Sequence, residues 1–164
     1  MIFAKCAAIF LLLVLCMAGA HAYAQNQTPA NVPAPPPPVD TADVWHDPAT
    51  GLMWTKADNG SDVNLTQAIA YCSNLRLGGY SDWRLPTIDE LQGIYDPSID
   101  TPGHWTNGDA IYWHVKGNLR LSGTPWSSSL ENAGVAWQFS LVSGRPVSFN
   151  FSDASSDRAL CVRR

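Results

Sequence analysis

The sequence predicts an α+β fold in which two helices pack on a small, twisted antiparallel sheet, with a long irregular loop region. Two segments begin with complementary capping residues and continue with apolar positions at helical spacing. Apolar residues alternate along 135–151 on both sides of a Ser-Gly turn, which is typical of a β-hairpin. Between 97 and 125 neither period holds, although glycines and aromatic residues are frequent, so we expect this region to be irregular and ordered.

The first 24 residues have the features of a signal peptide. Lys5 provides a basic start, the apolar run over 6–20 is short for a bilayer span, and Ala22-Tyr23-Ala24 matches a small-x-small cleavage site. Acylation at Cys16 is an alternative that the bulky Leu15 disfavours. We therefore expect export to the periplasm or the extracellular space, with no transmembrane anchor after cleavage.

The composition then separates a linker from a domain. Residues 25–43 are rich in proline, with four consecutive prolines at 35–38, which favours an extended tether. The predicted domain covers 44–164. The formal net charge is −4 and no basic run exceeds Arg163-Arg164, so nucleic acid is excluded as a main partner.

The predicted elements begin with a β-hairpin. Val44-Trp45-His46 and Leu52-Met53-Trp54 flank a Pro- and Gly-containing turn, and Trp45 and Trp54 are expected in the core. The first helix is capped by Asn64, with Gln67 at the complementary position. Its apolar stripe consists of Leu65, Ala68, Ile69, Cys72 and Leu75.

The second helix follows a Trp-bearing connector. Pro86 keeps Trp83-Arg84-Leu85 extended, and Thr87 and Glu90 form a capping box for a helix from Ile88 to about Tyr95. Arg84 is expected to be structural, paired with Asp82 or Asp89, with binding of an anion as the alternative.

The C-terminal third is expected to form strands. Trp126 starts one, Val135 to Phe151 form a hairpin with one buried face, and Ala159 to Val162 form the last strand. Cys72 and Cys161 are the two cysteines beyond the leader, and an even pair in an exported chain predicts a disulfide. Two buried free thiols are the alternative.

A series of motifs in this order resembles the Lcl C-terminal domain, a family named after a bacterial collagen-like adhesin. The resemblance covers about 44 to 163, and its most specific part is Asp82-Trp83-Arg84-Leu85-Pro86-Thr87. The remaining motifs are Asp47-x-x-Thr50-Gly51-Leu52-Met53-Trp54, Ala70-Tyr71-Cys72-x-x-Leu75, Trp126-Ser127-Ser128 and Cys161-Val162-Arg163.

The resemblance implies a C-type-lectin-like fold, in which a disulfide from the first helix to the last strand is typical and a long loop region carries binding. It implies an exported binding or adhesion module whose partner is a glycan or a protein of the envelope or host surface. The chain departs from the adhesin because it lacks a collagen repeat and is acidic. Trimer formation and binding to sulfated polysaccharides are therefore not carried over.

The loop region from 96 to 125 is the predicted binding site. Aromatic faces stack on sugar rings, while amide and carboxylate groups orient hydroxyls. The candidate ligand-binding residues are Trp105, Asn107, Asp109, Tyr112, Trp113 and His114. The alternative is that Trp105 and Trp113 fold inward and form a small core.

Metal binding and catalysis are weighed against this interpretation. Asp96, Asp100 and Asp109 are suitable calcium ligands, but their spacing matches no EF-hand, so we expect no cofactor, with calcium bound by these residues as the alternative. Zinc through His104 and His114 lacks a third ligand. No common catalytic motif is present, and a disulfide would leave no thiol for chemistry of the formylglycine-generating type. We expect a binding module; such an enzyme, an unknown hydrolase and a structural envelope protein are the alternatives.

Overall fold

The computed structural model describes residues 41–105 and 107–164. The predicted signal peptide and nearly all of the predicted linker lie outside the described residues. Within the described part of the chain, no helix is long and apolar enough to cross a bilayer.

The first sheet joins the two ends of the domain. Strands β1 (Val44–His46) and β2 (Met53–Thr55) form the predicted hairpin, with Trp45 opposite Trp54. The last strand, Val162–Arg163, pairs antiparallel with β2. The first and last strands of the described residues therefore lie in the same sheet.

Two helices follow, and both begin where the capping residues predict. Helix α1 (Leu65–Asn74) has reciprocal hydrogen bonds of 2.9 Å between Asn64 and Gln67. Helix α2 (Ile88–Gly93) has the same arrangement, with 2.8 and 3.2 Å between Thr87 and Glu90. Ile69 was expected on the buried stripe of α1 but is 46% exposed. The buried residues of this helix are Leu65, Ala68 and Cys72, so only one side of the predicted stripe faces the core.

The connector between the helices is extended and pinned to the last strand. The backbone of Arg84 exchanges two 2.9 Å hydrogen bonds with Val162, and buried Trp83 donates to the Leu77 carbonyl. The predicted partner of Arg84 was wrong. Its guanidinium binds both carboxylate oxygens of Glu90, at 2.6 and 2.8 Å, because the capping box already holds that carboxylate beside the connector.

The region expected to be irregular contains a hairpin. Strands β3 (Thr101–His104) and β4 (Ala110–Trp113) pair antiparallel, and a 3₁₀ turn, Lys116–Asn118, follows them. Each strand is only four residues long, and β3 includes a proline and a glycine, which local propensity counts against a strand. Tertiary packing decides this pairing.

A four-stranded sheet completes the domain. It consists of β5 (Thr124–Asn132), β6 (Val135–Ser140), β7 (Arg145–Asn150) and β8 (Asp157–Arg158), and β9 (Val162–Arg163) closes the first sheet. The strand order is β7-β6-β5-β8, with β8 parallel to β5 and the other pairs antiparallel. The expected strand over 159–162 is therefore two shorter strands with a fully buried link between them.

The hairpin of β6 and β7 does not have the single buried face that its alternation predicted. Gln138 and Phe139 are adjacent and both buried, so β6 is covered on both faces at this point. Phe149 on β7 is 41% exposed, because β7 is an edge strand with little packed against it. Gln138 and Phe149 line the same cavity.

The disulfide between Cys72 and Cys161 is confirmed, with an S–S distance of 2.04 Å and both residues fully buried. It links α1 to the segment just before β9. Two buried clusters surround this link: Trp83 and Trp126 lie in the cluster of the disulfide, whereas Trp54 and Trp113 lie in the other. Trp54, Trp83 and Trp126 thus have the structural positions expected of them.

Candidate functional site

An open cavity of about 480 Å³ lies between the loop after β3, the β5–β6–β7 sheet and the loop before β8. Its size is within the range of small-molecule sites. It combines two aromatic rings with a buried amide, a buried carboxylate and several hydroxyl groups. The lining residues are Trp105, Asn107, Thr124, Gln138, Ser140, Val147, Phe149, Ser155, Ser156 and Asp157.

Gln138 forms the floor of the cavity from the middle of β6. The residue is fully buried, and neither Nε2 nor Oε1 of its side chain has a hydrogen-bond partner of good geometry among the described residues. Leaving a buried amide unpaired costs about 1–3 kcal/mol per group. Because Gln138 lines an open cavity, its amide is available for hydrogen bonds to a ligand or to solvent, unlike the core indole N–H groups of Trp54 and Trp113, which do not line it.

Asp157 lies beside Gln138, at the start of β8. It is 4% exposed, and its backbone is held opposite Thr124 of β5. Burial raises the pKa of Asp157 to about 6, with smaller contributions from the negative charges of Asp153 and Asp62; the Gln138 amide and Arg158 oppose this rise in pKa. The carboxylate is therefore poorly compensated in the free protein.

The neighbouring cation does not compensate this carboxylate fully, because it is engaged elsewhere. Arg158 is buried, and its guanidinium pairs with Asp62 and donates to the Ser122 hydroxyl at 2.7 Å. It also donates to the backbone carbonyl of Asp157 at 3.1 Å. Arg158 thus orders the start of β8 and does not line the cavity.

The aromatic walls come from two different hairpins. Phe149 stands on the edge strand β7, and Trp105 lies directly after β3. Trp105 is half-buried and contacts Trp113 edge-to-face, with 5.1 Å between ring centroids. Its backbone closes a tight turn, accepting from Gly108 and donating to the Asp109 carbonyl, both at 2.9 Å. The core thereby fixes the Trp105 ring at the rim of the cavity.

The predicted loop residues separate into different environments. Trp105 and Asn107 line the cavity, and Asn107 donates from its amide to the Asp109 carboxylate at 2.7 Å. Tyr112 is 59% exposed and does not line the cavity. His114 is half-buried, with Nδ1 2.8 Å from the Ile99 carbonyl.

Trp113 requires a correction, since it was named as a ligand-binding candidate. It is 1% exposed and belongs to the core cluster of Trp54, so it presents no face to a ligand. Its ring packs against Gly103, where an added Cβ would lie 2.7 Å from the Trp113 Cδ1. The alternative that this ring folds inward is the one that the structure supports.

The three candidate calcium ligands are held in separate local contacts. Asp96 accepts from the Ser98 hydroxyl at 2.6 Å, and hydrogen bonds from Ser98 lower the pKa of Asp96. Asp100 lies 3.2 Å from the His114 ring, and Asp109 is bound by Asn107. Over 41–105 and 107–164, no group of three or more His, Cys, Asp or Glu residues is placed to hold a metal ion.

Sequence reasoning missed Gln138, Asp157 and Phe149. Two signals were available: Gln138 is a polar residue among apolar neighbours in a strand, and Asp157 precedes a buried apolar run. Neither signal indicates on its own that the two side chains share a cavity. The register of the four-stranded sheet brings them together.

The chain is an α+β domain with one disulfide, and its open cavity is lined by the four-stranded sheet and the loops beside it. The chain belongs to the Lcl C-terminal domain family, whose model matches residues 43–163. This family comprises bacterial surface-associated domains. No curated protein matches the chain.

Proposed function

We propose that this domain is a non-enzymatic binding module of the bacterial envelope or cell surface. Its cavity holds one sugar-sized unit of a glycan, either free or carried by an envelope or host-surface protein. The observation that carries the proposal is the fully buried Gln138 side chain in an aromatic-walled cavity: its amide NH2 interacts with the Asp157 carboxylate, and its Oε1 has no hydrogen-bond partner among the described residues. An apolar side chain would fit that position at lower cost unless a ligand pairs with the amide.

The walls of the cavity suit a sugar ring. A ring has apolar C–H faces and polar edges, and the exposed part of Trp105 and Phe149 can stack on such faces. Gln138, Asp157 and Ser140 can then take hydrogen bonds with the hydroxyl edge. A flat apolar ligand would use the rings but would leave the floor unpaired.

The wider architecture supports a C-type-lectin-like arrangement. The first helix and the C-terminal segment are joined by Cys72–Cys161, and β9 returns to the sheet of β1 and β2. The cavity is lined from the loop after β3, from β6 and β7, and from the start of β8, which leads through a buried run to Cys161. A disulfide-linked scaffold with a binding loop region is the arrangement that the family resemblance leads us to expect.

Export is supported by the disulfide and by the leader pattern. A buried disulfide forms in oxidising compartments, and the family is surface-associated. We propose that the mature protein lies in the periplasm or outside the cell, with the Pro-rich linker as an extended segment before the domain.

The two alternative functions, an enzyme and a structural envelope protein, agree less well with the disulfide and with Gln138. An enzyme of the formylglycine-generating type needs a reactive thiol, and the disulfide engages both Cys72 and Cys161. A purely structural envelope protein gives no reason to keep Gln138, with an amide oxygen that has no partner among the described residues, in the lining of a cavity. Both observations favour a binding module.

The test is a glycan array probed with the mature protein, followed by calorimetry on the bound glycan. Trp105→Ala and Gln138→Met should each weaken binding at least tenfold. Tyr112→Ala is the matched control, since it removes an exposed ring on the same hairpin outside the cavity, and should change the affinity less than twofold. Chelation with EDTA should leave the affinity unchanged.

Gln138→Met also separates binding from folding. Because it removes an amide oxygen without a partner but also removes the support that the amide NH2 gives to the Asp157 carboxylate, we expect its free energy of unfolding to stay close to that of the natural protein. If Gln138→Met and Trp105→Ala bind like the natural protein, or no glycan binds at all, the proposal fails.

A further inference from the structure

We propose that the cavity selects an amino sugar with a free, protonated amino group over neutral or acidic sugars of the same size. The inference rests on the proposed function and narrows it to one class of ligand. It is carried by the placement of Asp157 and Gln138 at the floor, below the rings of Trp105 and Phe149.

The electrostatic environment of the cavity is negative. Asp157 lines it, and Asp153 and Asp62 act on Asp157 as nearby negative charges. The one cation that acts on Asp157, Arg158, points its guanidinium at Asp62 and Ser122. A carboxylate or sulfate brought into this cavity would be repelled and would lose its hydration without gaining a cationic partner.

A cation is favoured over a neutral group because the buried carboxylate lacks a counter-charge. A hydroxyl would donate a hydrogen bond to the Asp157 carboxylate, whereas an ammonium group would donate one and also supply the opposite charge. The ammonium has three donors, so it can also reach Oε1 of Gln138, which has no hydrogen-bond partner in the described structure. Burial raises the pKa of Asp157 to about 6, and a cation bound beside the carboxylate would favour its ionised form.

The walls add to the same preference. Trp105 and Phe149 line the same cavity as Asp157, and an ammonium near an aromatic face gains a cation–π interaction that a hydroxyl does not. Phe149 is 41% exposed in the free protein, so its ring is accessible to a ligand. The sugar ring supplies the apolar faces that these rings stack on.

The experiment compares ligands that differ at one position. Binding of glucosamine, N-acetylglucosamine, glucose and glucuronate is measured by ligand-observed NMR and calorimetry at about pH 7. We expect glucosamine to bind at least tenfold more tightly than glucose or N-acetylglucosamine, and glucuronate to bind more weakly than glucose. Lysine methyl amide, an amine without a sugar ring, should bind at least tenfold more weakly than glucosamine.

Two variants and a pH series identify the group responsible. Asp157→Asn should abolish the preference for glucosamine, whereas Asp153→Asn, whose residue does not line the cavity, should change it less than threefold. With Asp157 half-protonated near pH 6 under the influence of Asp153, Asp62 and Arg158, the affinity for glucosamine should fall about tenfold between pH 7 and pH 5. The affinity for glucose should stay within twofold.

Results that contradict the preference for amino sugars can be told apart from results that contradict glycan binding itself. Equal binding of glucose and glucosamine, a preference that survives Asp157→Asn, or equally tight binding of the lysine amide would each overturn the inference. Glycan binding that depends on Trp105 and Gln138 would still stand in those cases. If none of these probes binds, the selection for amino sugars is wrong, and the wider array decides the proposed function separately.

Discussion

Replacing Asp157 with asparagine should stabilise the free protein at neutral pH, although the residue is almost completely buried. The fold holds the pKa of Asp157 at about 6, against 3.8 for an ordinary aspartate, chiefly by burial. A carboxyl group whose pKa is raised by folding favours the folded state while it is protonated. That contribution is fully present below about pH 3.8 and is lost as the pH rises through about 6.

The magnitude follows from the two pKa values. A tenfold change in proton affinity corresponds to about 1.4 kcal/mol, so the ionised carboxylate costs the folded state at most about 3 kcal/mol. The cavity is open to water, which screens the charge, and we therefore expect about 1–2 kcal/mol. Asparagine has nearly the same shape and carries no charge, so Asp157→Asn should recover this amount above about pH 7.

The assay is urea unfolding of both proteins, followed by tryptophan fluorescence, at about pH 4 and about pH 7.5 without ligand. The difference between variant and natural protein should be near zero at the lower pH and favour the variant by about 1–2 kcal/mol at the higher pH. Taking the difference cancels other carboxylates, such as Glu90, whose pKa is lowered by the Arg84 hydrogen bond and whose stabilising contribution is lost in acid.

Asp153→Asn is the matched control for this measurement, because its carboxylate caps a turn by accepting from the Asn150 backbone at 3.1 Å and does not line the cavity. It should be neutral or slightly destabilising at both pH values. The reasoning is refuted if Asp157→Asn destabilises the protein at about pH 7.5. Such a result would mean that the carboxylate is well compensated and that the cavity needs no ligand to complete it.

Three further predictions concern the scaffold. Replacing both Cys72 and Cys161 with alanine opens a loop spanning a sequence separation of 89 and should cost roughly 4–5 kcal/mol in urea unfolding, while an unchanged midpoint would contradict a stabilising role. Gly103→Ala should cost about 1–3 kcal/mol because the new methyl group meets the Trp113 ring, whereas an unchanged melting temperature would show that the ring moves freely. Thr87→Ala should cost about 1 kcal/mol through loss of the helix cap, with Thr87→Ser nearly neutral in the same thermal scan.

The sequence could predict the parts of this fold whose causes are local. Both capping boxes depend on residues three positions apart, and their helices begin where those residues indicate. The first hairpin depends on a short turn in which Asp47 accepts hydrogen bonds from Ala49 and Thr50. The disulfide was predictable because few cysteines were available to pair.

The candidate site was only half predictable because its residues meet through sheet register. Trp105, Gln138 and Asp157 are widely separated in the chain. Strand β8 pairs in parallel with β5, and no turn between these two strands allows this pairing to be predicted from the sequence. The hairpin of β3 and β4 was missed for a related reason. Gly103 breaks the strand pattern in the sequence, but it provides the space into which the Trp113 ring packs.

The same contacts explain why one tryptophan of the loop belongs to the core and the other to the cavity. Trp113 is buried in a cluster with Leu91 and Val115, and its ring is the surface against which Trp105 stands at the rim. On the opposite side, Asp157 is held between its pairing with Thr124 and the buried run that leads to Cys161. The core and the disulfide therefore set the distance between the aromatic wall and the carboxylate. Because buried packing determines that distance, Gly103→Ala, which displaces the Trp113 ring that supports Trp105, should weaken ligand binding in calorimetry even where the chain stays folded.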